Sequence, residues 1–316
     1  MLGAVAQHPL LQALPQDRTL VMGILNVTPD SFSDGGQHTD PDAAIAHARA
    51  LRSQGADLID VGGESTRPGA TPVDPHEEQD RILPVIEALL ADGIPVSADT
   101  MHVATAEAAL QLGPVILNDV SGLHVEEGMP ELVAASGAPY ILMHNRGTPT
   151  TMDGLATYAD VVGQVIEELC ELRERFLAAG VRAEQLLLDP GLGFAKAGDQ
   201  NWALLHGLPR LRELGHPVLV AASRKRFLGT LVDEVTGAES APQDRDIATA
   251  AVSALAAQAG AWAVRVHDVG GSAAAVRVAA AWTAPDTGAD TGAGTGAGAT
   301  QRHGAAEGFN TEARLG

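Results

Sequence analysis

The sequence predicts an α/β protein of the (β/α)8 TIM barrel class, a single domain with a disordered C-terminal tail. Three observations predict it. Eight short apolar runs, each closed by a polar residue, recur between residues 19 and 267. They lack the apolar-polar alternation of half-exposed strands, as parallel strands buried on both faces do. Segments with apolar residues at helical spacing and charge on the opposite face lie between them. An open, doubly wound sheet is the alternative arrangement of the same units.

The first run, TLVMGILNV from Thr19, ends in polar Asn26 and leads through a turn-rich loop to a periodic Ala-rich segment at 42–54. The second, ADLID, ends at Asp60 and is followed by a helical pattern over 75–91. IPVSAD then closes on Asp99, PVILND on Asn118 and Asp119, and APYILMH on His144. A helical pattern over 158–179 precedes LLLD, which ends at Asp189. PVLVAAS ends at Ser223, a helical pattern covers 244–259, and AWAVRVH ends at His267. Run ends from Asn26 to Arg265 are spaced by about 34 residues on average, and eight such units in roughly 250 residues is the size of a (β/α)8 barrel. Residues 1–18 read as an N-terminal extension, 19–282 as the barrel and 283–316 as the tail. That tail is almost wholly Thr, Gly, Ala and Asp, with no period able to build a core.

Composition narrows the function. Of 316 residues, 45% are hydrophobic, enough for a sizeable core. The net charge of −20 disfavours a nucleic-acid partner, whose binding depends on cationic side chains displacing counterions. The single cysteine, Cys170, forms no intrachain disulfide and fits a reducing compartment. No apolar run approaches the length a membrane-spanning helix needs, and the first 20 residues lack a secretory pattern. A soluble, unprocessed, cytoplasmic protein without membrane or nucleic-acid partners is expected. Arginine supplies 18 of the 20 cations, which makes the two lysines, Lys196 and Lys225, informative.

In a (β/α)8 barrel the loops after the strands build the active site, so polar residues at strand ends are candidates. Any one of them also reads as a strand terminator or helix cap, and Asp60 and Asp119 are left with that reading. Asp189, at the end of an apolar strand, is expected to be buried and to need hydrogen-bond donors, which a ligand with paired N–H groups supplies. Lys225, two residues beyond the seventh strand, is placed to meet Asp189, either as a structural ion pair or as a point donor to ring oxygens and nitrogens. Arg265 and His267 share one face of the eighth strand, near where this fold commonly holds phosphate. Arg67 is either a further cation for that region or a solvated loop residue. Asn26 is either an oxygen ligand that helps hold Mg²⁺ beside phosphates or a turn and capping residue. The residues alone thus point to a polar heterocycle site near Asp189, Asn118 and Lys225, and an anion site near Arg67, Arg265 and His267.

Taken together and in order, NVTPDSFSDGG, DVGGESTRPGA, NDVSG, LMHNRGTP, DPGLGFAK, ASRKRFLG and VRVHDV resemble the dihydropteroate synthase family over about residues 21–282. The resemblance implies a transferase of folate biosynthesis, usually homodimeric and a sulfonamide target. Its reaction joins 6-hydroxymethyl-7,8-dihydropterin diphosphate to p-aminobenzoate and releases pyrophosphate. It further implies that Asp99, Asn118, Asp189 and Lys225 meet the pterin, and that Thr66, Arg67, Arg265 and His267 meet the diphosphate, with Asn26 at Mg²⁺. Arg67, Pro68, Phe194 and Ser223 fall around p-aminobenzoate, and Asp99, Asp189, Lys225, Arg265 and His267 form the catalytic set. Read without the resemblance, Ser223 is a helix cap and Phe194 a core aromatic. A pterin-dependent methyltransferase barrel and a noncatalytic pterin-binding paralogue are the competing readings.

Overall fold

A computed structural model describes residues 8–28, 40–65, 72–148 and 150–284. The tail from residue 285 and the loop segments holding Thr66, Arg67 and Pro68 lie outside the described residues. By contacts the chain divides into a unit of residues 1–283 and a second of 284–316.

The first unit is a (β/α)8 barrel. Its strands are β1 (Leu20–Asn26), β2 (Leu58–Gly62), β3 (Val96–Asp99), β4 (Ile116–Asp119), β5 (Tyr140–Met143), β6 (Leu186–Asp189), β7 (Leu219–Val220) and β8 (Ala263–Val266). All pair in parallel, in the order β6-β5-β4-β3-β2-β1-β8-β7. The remaining junction, between β6 and β7, is a single bridge from Leu188 to Val218. The apolar run predicted through Ser223 thus contributes only two residues of strand, after which the backbone turns out of the sheet.

Before the barrel comes α1 (Pro9–Gln12), and around it stand α2 (Pro41–Gln54), α3 (Pro75–Ala91), α4 (Val103–Leu112), α5 (Met129–Ser136) and α6 (Val161–Ala178). They continue with α7 (Gly198–His206), α8 (Leu208–Arg212), α9 (Arg226–Thr236), α10 (Asp246–Gln258) and α11 (Val269–Thr283). Asp40, Asp74 and Asp160 cap α2, α3 and α6, each accepting from backbone N–H groups of the first turn, which satisfies donors a helix start leaves open.

Strand parity sorts the core. One set, Leu20, Met22, Leu58, Ile116, Ile141, Leu187, Leu219 and Ala263, forms a buried cluster inside the barrel, joined by Leu11 and Leu14 from the segment before β1. The alternate residues, among them Val21, Ile59, Val61, Ala98, Leu117, Leu142, Leu188 and Val264, pack outward against the helices. Arg18 fastens the same end of the barrel through a paired contact to Asp57 at 2.7 and 2.8 Å, and Asp57 also accepts the Val21 N–H at 2.8 Å. None of the described helices is long and apolar enough to cross a membrane.

Candidate active site

The parity that puts Leu58, Ile116, Leu187 and Ala263 inside the barrel also fixes what stands above them. Because alternate strand residues share a face, Asp60, Asn118, Asp189 and Arg265 follow inward, two residues further along their strands. Met22 carries the same face forward to Asn26, and Ala263 carries it to Arg265 and on to His267. On β3, Val96 and Ala98 pack outward, so Asp99 faces in. The apolar floor therefore gives way to a polar layer at the C-terminal ends of the strands.

Arg265 is the hub of that layer. Its Nε donates to Asp60 at 2.5 Å and its Nη2 to Asp99 at 2.6 Å. Asn118 Nδ2 donates to both oxygens of Asp60 at 3.1 and 3.3 Å. Four residues from β2, β3, β4 and β8 thus form one connected group, with Asp60 wholly buried. Burial pushes Asp99 up to about 8; Arg265 opposes this and the Asp60 carboxylate adds to it. The two carboxylates act the other way on Arg265 and hold its guanidinium charged against burial.

Across the barrel, Asp189 is buried and accepts the Gly191 N–H at 2.7 Å. Burial raises its pKa, and the nearby Lys225 ammonium is the largest opposing influence. Lys225 itself is lowered to about 8 by burial, with Asp189 countering. The Lys225 ammonium donates to the Leu192 carbonyl and stands 4.7 Å from the centre of the Phe194 ring. Gly191 makes this loop possible. Its φ is 66°, and an added Cβ would fall 1.8 Å from the His144 carbonyl oxygen, so only glycine lets the loop lie against the end of β5.

Ser223 is not the cap of α9, whose N-cap is Lys225. Its hydroxyl oxygen accepts the His267 N–H at 3.1 Å and lies 2.9 Å from His267 Nδ1. Phe194 is half-buried at the rim rather than part of the apolar core. Asn26 does not cap α2, a role that falls to Asp40. Asp119 bears out its structural reading: it accepts Tyr140 Oη at 2.5 Å and Ser121 N–H at 2.7 Å.

Residues 22–267 match the pterin binding enzyme family. A dihydropteroate synthase of Mycobacterium leprae is 51% identical over 263 residues, which cover 83% of this chain and 93% of that protein. The chain belongs to the dihydropteroate synthase family. A dihydropteroate synthase of Bacillus subtilis is 42% identical over 255 residues, covering 80% of this chain and 85% of its own. Among solved structures, the Xanthomonas albilineans dihydropteroate synthase with 4-aminobenzoic acid superposes with a TM-score of 0.77 at 45% identity, over 85% of this chain and 95% of that one. The Yersinia pestis dihydropteroate synthase in complex with a sulfonamide drug gives a TM-score of 0.77 at 41% identity, over 85% and 96%.

Within this dihydropteroate synthase fold, the residue that sequence reasoning passed over is Asp60. Treated as a strand terminator, it proves to hold both Arg265 and Asn118. The signal was present in its spacing, since Asp60 shares the inward parity of Leu58 just as Asp189 shares that of Leu187.

Proposed function

We infer that the mouth of this barrel carries out the dihydropteroate synthase reaction, joining 6-hydroxymethyl-7,8-dihydropterin diphosphate to p-aminobenzoate with release of pyrophosphate. The observation that carries this reading is the inward parity of Asp99, Asn118, Asp189, Arg265 and His267, with Lys225 close to Asp189, in a chain 51% identical to a dihydropteroate synthase.

Pterin recognition falls to Asp189, Asn118, Lys225 and Asp99. A buried carboxylate with one backbone donor has oxygen lone pairs to spare, and paired ring N–H groups would favour its charged form over the burial that now opposes it. Lys225, a compact donor, reaches ring oxygen or nitrogen where a guanidinium fork fits poorly. As the carbon–oxygen bond to diphosphate breaks, negative charge grows on the leaving group and positive charge on the pterin methylene. Arg265, through the Nη1 that Asp60 and Asp99 leave over, stabilises the first with His267, Thr66 and Arg67; Asp99 and Asp189 stabilise the second. The aryl amine of p-aminobenzoate then attacks, its ring against Phe194 and Pro68 and its polar groups toward Ser223 and Arg67.

Among the described residues, no group of three or more His, Cys, Asp or Glu side chains is arranged to hold a metal. Asn26 offers one amide oxygen on the inward face. That donor set fits Mg²⁺, which commonly takes few protein ligands and completes its shell with phosphate oxygens and water. When bound, Mg²⁺ neutralises charge on the diphosphate.

Ile247 and Leu255 of α10 and Val278 and Trp282 of α11 are 80, 63, 63 and 82% exposed. An apolar surface on two adjacent helices supports the homodimer as the assembled form. A reducing, cytoplasmic setting accords with the lone Cys170.

The test is turnover. With Mg²⁺ present, the protein releases pyrophosphate from the pterin diphosphate at steady state only when p-aminobenzoate is added. Pterin binding without pyrophosphate release would sink the reading in favour of a noncatalytic barrel, and methyl transfer to a corrinoid protein would replace it altogether. Asp189→Asn weakens pterin binding by about 2–5 kcal/mol, the range for removing a buried charged partner.

A further inference from the structure

Lys196 and Lys225 are the only lysines in the chain. Each follows a non-glycine residue with left-handed backbone, Ala195 at φ 49° and Arg224 at φ 58°, and no other described non-glycine residue has positive φ. Such conformations persist only where surrounding contacts over-determine them. At Arg224 those contacts are the paired bonds to Asp246, both 2.7 Å, and the bond from Arg245 to the Arg224 carbonyl at 3.1 Å. At Ala195 they come from the neighbouring lysine together with Asn201, which accepts the Gly193 N–H at 2.6 Å and donates to Lys196 O at 3.4 Å.

The Lys196 side chain is buried, and its ammonium meets three acceptors: Phe194 O at 2.8 Å, His144 Nδ1 at 2.9 Å and His144 O at 3.4 Å. His144 Nε2 lies 2.8 Å from Glu168, and Glu168 in turn accepts Arg146 Nε at 2.9 Å. Burial holds His144 down to about 4, so its ring is neutral. Burial opposes the ionised form of Glu168, but the bonds from His144 and Arg146 outweigh it and hold the acid at about 2. With Nδ1 accepting from Lys196, the single ring hydrogen sits on Nε2 and points to Glu168. Arg146 closes the series with its guanidinium 4.0 Å over the Tyr158 ring.

This line of hydrogen-bonded side chains runs behind the rim, from α6 to the loop after β6. The proposed reaction gives it no direct contact, although Lys196 adds, behind Lys225, to the influences that favour the charged form of Asp189. What it holds is specific: Leu192 O is bound by Lys225 and Phe194 O by Lys196, so the backbone that carries the Phe194 ring is held at Phe194 itself and two residues before it. Burial lowers the Lys196 pKa well below the ordinary lysine value, and a buried amine costs more than an aliphatic filler unless acceptors meet it; here three do.

We propose that Lys196, backed by His144, Glu168 and Arg146, is a positioning residue that sets p-aminobenzoate affinity by fixing the Phe194 loop. The proposal rests on the reaction assigned above.

Two measurements on Lys196→Met and Glu168→Gln test it. In steady-state kinetics, Lys196→Met raises KM for p-aminobenzoate about tenfold and leaves KM for the pterin diphosphate within about twofold, and Glu168→Gln shifts the same constant several-fold. In hydrogen exchange, which needs no turnover, peptides over residues 190–197 exchange about tenfold faster in both variants while β2 and β3 are unchanged. Equal rises in both KM values, or an unmoved 190–197 segment in folded variants, overturn the proposal. If Lys196→Met does not fold, Glu168→Gln decides alone, and a wild-type KM together with wild-type exchange overturns it. Absence of turnover in the wild-type protein would instead count against the reaction, with hydrogen exchange still deciding whether the loop is staked.

Discussion

Replacing Asp60 with asparagine tests the polar layer at its centre. The side chain is wholly buried and accepts Arg265 Nε at 2.5 Å and Asn118 Nδ2 at 3.1 Å. Asparagine keeps the shape, removes the charge and turns an NH₂ group toward one of two donors. A hydrogen bond to a charged group contributes about 1.5–3 kcal/mol and a neutral one about 0.5–1.5 kcal/mol. Stripping one partner from a buried ion pair costs about 3–5 kcal/mol. Two things soften the loss. Arg265 keeps Asp99 at 2.6 Å, and the repulsion between Asp60 and Asp99 disappears, a relief of about 1.4 kcal/mol for each pKa unit it contributes. The expected net destabilisation is about 2–4 kcal/mol, read from urea unfolding at neutral pH. Because Asp60 helps raise Asp99, the same substitution moves the acid limb of the kcat/KM profile to lower pH. A loss under about 1 kcal/mol with the acid limb unmoved would refute Asp60 as the anchor of Arg265.

The wild-type pH profile is itself a prediction. Asp99 is pushed up to about 8 by burial and Lys225 down to about 8 by burial, so rising pH ionises the acid and discharges the amine over the same range. The dependence of kcat/KM is a narrow bell near pH 8, and a flat profile from about pH 6 to about pH 10 would contradict it. At the opposite end of the barrel, Asp57→Ala leaves the Arg18 guanidinium, whose side chain is 11% exposed, with the Thr19 carbonyl but no carboxylate, and takes the carboxylate acceptor from the Val21 N–H. It lowers stability by about 3–5 kcal/mol; a shift in the denaturant midpoint equivalent to under about 1 kcal/mol would show the pair to be ornamental.

The barrel was legible because its strands are doubly buried and its helices amphipathic, and both patterns are local. Asp189, Arg265 and His267 were legible for the same reason: they end apolar runs, and parity aims them inward. Asp60 met the same test, yet a strand-terminating aspartate explains its position equally well. Only the spatial approach of Arg265, 205 residues distant, separates the two. Lys196 was visible as a rare lysine, but two of its three acceptors belong to His144, 52 residues earlier, just beyond the end of β5, and no local pattern encodes them. The weak seventh strand was hidden because PVLVAAS is as apolar as its neighbours; the left-handed residue beyond it, Arg224, is bonded to Asp246 on a later helix, which no local pattern encodes.

The lone Leu188 to Val218 bridge has a consequence for how substrate and scaffold share their energy. Asp189 stands on one side of that joint and Lys225 on the other, so a bound pterin head would act as a clasp across the barrel's loosest stave. Local opening of such a joint is the low-energy end of native-state fluctuation, and a ligand that bridges it closes the hoop by mass action. Saturating pterin should therefore slow amide exchange at 186–189 and 218–220 more than in any other neighbouring pair of strands.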